Sequence, residues 1–268
     1  MSETDYRIFA RDAISGEHLL IDTGADVSVL KATPEERPWC RTTHPLYDAE
    51  GNTIETYGYK VCQLDLGLQR YLHWPFIVAK VVNSIIGCDF LDHFHMMPDI
   101  CEQRLIDRSH GWWVKNAGPT TKTNASTNLI RGFKLETQES EYKRLFVEKM
   151  FNSHKRLYVE EMISKELWLI DSGAQDTFIK PTDEERLQKI YTENVQSAAG
   201  LPVTIYGSKW KDFDFGFGYK VYWPCLIANV KDNIIGADLM GACGLKPDVQ
   251  NRLLINKDWN KTVQCYYK

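Results

Sequence analysis

Two aspartates stand in near-identical settings, Leu20-Ile21-Asp22-Thr23-Gly24-Ala25-Asp26 and Leu169-Ile170-Asp171-Ser172-Gly173-Ala174-Gln175. In each, an apolar run delivers a carboxylate, and a hydroxyl residue, Gly and Ala follow. Such a strand carries its Asp into a half-buried place, where a lone charge is costly unless it has a partner. The second segment supplies that partner. Two carboxylates held about 3 Å apart cannot both ionise, so they share one proton and titrate as a coupled pair. The ionised member can take a proton from a water while the other protonates the carbonyl under attack, with no metal and no covalent intermediate. Gly24 and Gly173 allow backbone to approach the carboxylates closely.

One Asp-Thr-Gly alone is more often an ordinary turn. Here the pair belongs to a longer register: Asp171 follows Asp22 by 149 positions, and the offset recurs along the chain. Tyr57-Gly58 falls on Tyr206-Gly207, and Trp74-Pro75 on Trp223-Pro224. Ile85-Ile86-Gly87 with Asp89 falls on Ile234-Ile235-Gly236 with Asp238, and Pro98-Asp99 on Pro247-Asp248. No gap interrupts it. A fixed offset held from end to end reads as a duplicated domain. The organisation is therefore a first lobe over 1–107, a linker over 108–155, polar then amphipathic, and a second lobe over 156–268.

The elements that position the aspartates read as strands. Residues 6–22 form a hairpin turning at Ser15-Gly16, and Val27-Ser28-Val29-Leu30 resumes a strand after the Asp loop. Residues 46–57 form a second hairpin with Ala49-Glu50-Gly51-Asn52 at its tip, and two more strands follow through Gly67. Ile85-Ile86-Gly87 ends a strand before a short helix, whose Asp89 (Asp238 in the second copy) reads as its cap. Strands every 8–12 residues and one brief helix per copy describe two small all-β, barrel-like lobes. An additional strand is expected at 144–148. The tail from 257 to 268 carries no clear signal. His93 and His95 read as surface or packing residues, because the second copy has Ala242 and Gly244 there.

Composition narrows the function. A net charge of −4 gives no electrostatic footprint for nucleic acid. No run approaches 18 apolar residues and the first residues are not a basic leader, so no membrane association and a cytoplasmic location are expected. The 7 cysteines contain no CxxC, and none falls on another at the repeat offset, which argues for free, mostly buried thiols.

The Ile-Asp-Thr-Gly-Ala-Asp segment, with Ile85-Ile86-Gly87 some sixty residues on, resembles the retropepsins. Ala49-Glu50-Gly51-Asn52, Tyr57-Gly58 and Ile86-Gly87-Cys88-Asp89-Phe90-Leu91 resemble the proteases of gypsy-type LTR retrotransposons in particular. The resemblance spans roughly residues 6–107 and again 156–256. It implies an aspartic endopeptidase of two acid-protease lobes forming a pseudo-dimer within one chain, with Asp22 and Asp171 catalytic and no cofactor. It implies that Thr23 and Ser172 bond across the lobes, with Gly24 and Gly173 supporting the dyad. It also implies flaps at Ala49, Glu50 and Gly51 and at Ala198, Ala199 and Gly200, which close over an extended peptide. The substrate so implied is a polyprotein, and the setting includes retroelement particles. Gln175 in place of Asp26 means that any ion pair made by Asp26 is missing from the second copy. One rival is a non-catalytic peptide-binding or scaffold protein derived from such a protease; another pairs each copy with a second chain instead of forming a monomer.

Overall fold

Short β-branched and aromatic runs punctuated by glycine favour strands over helices. In the computed structural model, which describes residues 5–37, 45–119, 155–187 and 195–268, those runs build two all-β lobes. The first contains β1 (Phe9–Arg11), β2 (His18–Ile21) and β3 (Val29–Lys31), then the short hairpin β4 (Leu46–Tyr47) and β5 (Thr53–Ile54). The long hairpin β6 (Thr56–Leu64) and β7 (Leu72–Ala79) follows, then β8 (Ser84–Ile86), α1 (Cys88–His93) and a three-stranded sheet of β9 (Met96–Asp99), β10 (Arg104–Asp107) and β11 (Trp112–Lys115). The second lobe runs through β12 (Leu157–Glu160), β13 (Leu167–Ile170), β14 (Phe178–Ile179), α2 (Asp183–Arg186), β15 (Ile205–Phe213) and β16 (Val221–Ala228). It finishes with β17 (Asn233–Ile235), α3 (Ala237–Ala242), β18 (Leu245–Asp248), β19 (Leu253–Asn256), β20 (Lys261–Gln264) and β21 (Tyr266–Tyr267).

The main sheets share one plan. In the first lobe the order is β1-β2-β8-β3-β7-β6; in the second it is β15-β16-β14-β17-β13-β12-β21, the same plan with one strand added at the edge. Each Asp-bearing strand lies parallel to its Ile-Ile strand, Leu20 beside Ile85 and Leu169 beside Ile234. These strands are covered on both faces, which is why they read as continuous apolar runs rather than alternating ones. One apolar cluster passes through both lobes, joining Ile21, Phe90 and Leu105 to Trp168, Ile170 and Leu245. The lobes therefore share a core. No helix among the described residues is long and apolar enough to cross a membrane.

Three expectations change. The first lobe does not end at 107: β11 pairs with β10, Asn116 Oδ1 accepts from Phe9 N–H at 2.8 Å, and Ala117 N–H donates to Phe9 O at 2.9 Å. So the linker boundary at 108 falls inside the lobe, which extends through at least Gly118. The tail is likewise structured, β20 joining β19 and β21 lying along β12. The second lobe has two helices, because Thr182 and Glu185 form a reciprocal capping box that nucleates α2. The strand expected at 144–148 lies outside the described residues. Among the described cysteines, all free, Cys88, Cys225 and Cys265 are buried, Cys62 and Cys243 half-buried and Cys101 exposed.

Candidate active site between the lobes

β2 and β13 end at the seam between the lobes, and each Asp leaves its strand hydrogen-bonded to the Ile-Ile strand of its own lobe. Asp22 N–H donates to Ile86 O at 2.9 Å and Asp171 N–H to Ile235 O at 3.0 Å. Beyond the Asp the chain turns back on the carboxylate. Gly24 and Ala25 N–H donate to Asp22 Oδ1 at 2.8 and 3.1 Å, and Gly173 and Ala174 N–H to Asp171 Oδ1 at 2.9 Å each.

The hydroxyl residues close the seam. Thr23 Oγ1 donates to Ile170 O at 2.8 Å and accepts from Ser172 N–H at 3.0 Å. Ser172 Oγ donates to Ile21 O at 2.8 Å and accepts from Thr23 N–H at 3.1 Å. Both side chains are 0% exposed, so all four bonds form away from competing water. This ring fixes one Asp against the other.

The glycines are as close as the chemistry requires. A Cβ on Gly24 would stand 2.3 Å from Asp171 Cγ, and one on Gly173 2.4 Å from Asp22 Cγ. Each carboxyl thus lies against the glycine of the other loop, so the two face one another. Burial first, and then the facing Asp171 charge, push the Asp22 carboxyl well above its usual range. Asp171 is also raised by burial, but the bond from Asp22, the Ala174 and Gly173 amides and the charge of Arg156 pull it back. The pair retains a proton at pH values where a free carboxyl has lost its own, and it titrates as one coupled unit.

The N-cap residues Gly87 and Gly236 carry no side-chain cap, but Asp89 Oδ1 accepts from the first-turn Phe90 N–H at 2.7 Å. Asp89 also accepts from Ser28 Oγ at 2.7 Å, Ser28 N–H at 3.0 Å and Trp74 Nε1 at 3.3 Å. Asp238 accepts from Thr177 Oγ1 at 2.7 Å and Trp223 Nε1 at 2.9 Å. Both carboxylates therefore anchor the strand that leaves the Asp-Thr/Ser-Gly loop, and the tryptophans are polar partners as well as packing. The repeated Trp and Asp were visible in sequence, but nothing in it joined residues fifteen apart. Gly87 and Gly236 let the two segments cross: a Cβ on Gly87 would stand 2.7 Å from the Val27 carbonyl carbon. Gly87→Ala is expected to destabilise by about 3 kcal/mol or more, since backbone meets backbone and neither can yield. Chemical denaturation tests this; a variant as stable as the parent would contradict it.

The flap candidates reach the opposite lobe. Ala49 O accepts from Lys231 N–H at 3.0 Å, and Ala198 O from Val82 N–H at 2.9 Å. Both tips thus bridge the cleft. Asp26 pairs with Arg156 of the second lobe at 2.9 Å, while the matching Arg7 turns to Asp5 at 2.8 Å, as Gln175 offers no charge.

Residues 13–97 match the family model described as retroviral aspartyl protease. That segment holds Asp22-Thr23-Gly24 and Ile85-Ile86-Gly87, so over those residues the first lobe is similar to that family. No curated protein matches the chain.

Proposed function

We propose that the protein is a single-chain aspartic endopeptidase in which Asp22 and Asp171 form the catalytic dyad. The observation that carries this reading is the ring of four interlobe bonds, which sets the two carboxyl groups against each other with one shared proton. In the proposed reaction the ionised member of the pair takes a proton from a water. The resulting hydroxide bonds to the peptide carbonyl carbon, and the protonated member gives its proton to the carbonyl oxygen. The tetrahedral diol then collapses: the dyad passes a proton to the amide nitrogen, the C–N bond breaks, and a diol hydroxyl returns a proton to the dyad, which is left with one, as it began. Burial of the carboxyls makes each transfer less subject to competing solvation.

The substrate in this reading is an extended peptide lying beneath the two tips, where strand addition would pair its backbone and alternate side chains would enter pockets of either lobe. A polyprotein of a gypsy-type retroelement fits that mode. So does an origin in which one domain was duplicated to give two unlike halves. The test is incubation with a peptide pool, with and without pepstatin, read by mass spectrometry. New termini suppressed by the inhibitor support the reading; an intact pool across acidic and neutral pH overturns it.

The rate should also depend on pH as this proton placement requires. Activity rises as the pair loses its first proton and falls as it loses its second. Because burial and the facing charge raise the pair, the falling limb lies above the carboxyl range. A kcat/KM profile checks this, and a rate still climbing above about pH 9 points to another base.

A further inference from the structure

The two tips bridge the cleft in similar positions but are held by unlike means. On the first, Lys231 of the opposite lobe makes three contacts. Its N–H binds Ala49 O, its Cε lies where a Gly51 Cβ would be, 2.2 Å away, and its ammonium sits 5.1 Å over the Tyr47 ring. Glu50 adds a carboxylate that accepts from Thr204 N–H at 3.3 Å and Asn229 Nδ2 at 3.4 Å, both on the second lobe. The turn itself is braced by Asp48, whose carboxylate accepts from Glu50 N–H at 3.1 Å, Asn52 N–H at 2.8 Å and Asn52 Nδ2 at 3.1 Å.

The second tip keeps the main-chain bond but lacks each of these side chains. Val82 stands where Lys231 stands, Ala199 where Glu50 does, and Ser197 where Asp48 does. Val82 gives its N–H to Ala198 O and a methyl near Gly200, and Ala199 rests against the apolar wall of the first lobe that includes Val81 and Ile85. The Ser197 hydroxyl is buried with no partner among the described residues. A buried unmet hydroxyl favours conformations that expose it to water.

We propose that Lys231 and Glu50 are positioning residues that clasp the first flap to the second lobe, leaving the second flap as the gate through which a peptide enters. This rests on the endopeptidase reading only for what passes the gate; the clasp itself is a property of the resting chain. A cleft with one fixed roof gives an entering peptide a preferred side, which a symmetric pair of flaps would not.

The test places in the first clasp the residues that the second already has, Glu50→Ala with Lys231→Val, in the full chain. Amide hydrogen exchange is followed by NMR at positions 82, 204 and 231, with Thr23 and Ser172 reporting that the lobes remain joined. In the parent the amides at 204 and 231 should exchange about tenfold more slowly than that of Val82, from loss of the hydrogen bonds and the cation–π contact on opening. In the double variant they should rise to the Val82 level while Val82, Thr23 and Ser172 stay unchanged. Equal exchange in the parent at positions 82 and 231, or no change in the variant, overturns the clasp. If peptides are cleaved, KM should rise several-fold with kcat nearly constant; a fall in kcat alone also overturns it. Were no peptide cut by the parent, exchange would still decide, so failure of the proposed activity and failure of the clasp are separable.

Discussion

Asp22→Asn and Asp171→Asn should each lower kcat by about a thousandfold or more, while the chain still folds. The asymmetry of cost follows from the geometry. An Asn carbonyl can keep accepting from Gly24 and Ala25, or from Gly173 and Ala174, so the turns remain closed. Its NH2 can donate to the surviving carboxylate, replacing the shared-proton bond. What would be lost is chemistry: with either Asp replaced, the pair cannot both take a proton from the water and give one to the carbonyl oxygen. Removing one of two facing carboxyls also relieves desolvation and repulsion, so thermal stability should hold or rise. Single-turnover rates beside thermal unfolding settle this. A single variant retaining a tenth of parental activity would refute the shared dyad, and so would loss of activity that merely tracked unfolding.

The second large effect concerns assembly. The protein should behave as a 31.0 kDa monomer whose rate per molecule is unchanged on dilution. The contacts across the seam are heterologous. Lys155, which enters the second lobe, pairs with Asp92 of the first, whereas at the matching positions Tyr6 packs on Gly241, where a Cβ would be 2.4 Å from its ring. Two first lobes would set Tyr6 against Asp92, and two second lobes would set Lys155 against Gly241. Neither pairing reproduces the fit. Asp99, fully buried, is met by Lys246 of the second lobe at 2.8 Å, a position held by Met97 in the first. Removing that lysine leaves a buried carboxylate one partner short, which is costly. Arg108 and Asp248 add a further unlike pair across the seam. Light scattering and a dilution series check the expectation. A species of twice the mass, with specific activity collapsing at nanomolar concentration, sinks the single-chain reading in favour of pairing between chains. Gly241→Asp, which copies the first lobe into the second, should impair activity by forcing Tyr6 out of place.

Sequence by itself determined the parts of this protein in which burial and close approach restrict residue type. Asp, a hydroxyl residue and Gly recur at Asp22 and Asp171 because no other types can share a proton, close the ring and leave room for a facing carboxylate. Ile85-Ile86-Gly87 recurs for the same reason: the strand is buried on both faces, and its glycine must pass under Val27. So the all-β class, the offset between copies and the dyad candidates could be read directly. Where side chains are half exposed, the pattern faded. Trp112-Trp113-Val114-Lys115 and Lys261-Thr262-Val263-Gln264 hold equivalent strands but agree only at Val114 and Val263, the inward-facing pair, so the lobe boundary was set too early and the tail went unread. The four bonds between Thr23 and Ser172 and the two main-chain carbonyls, the Asp89 anchor on Ser28 and Trp74, and the unequal hold on the two flaps all join residues distant in sequence. The first and last depend on the angle at which the two lobes meet, and the Asp89 anchor on how strands pack within one lobe. A one-dimensional register records which residues are equivalent, but only the packed interface decides which of them touch.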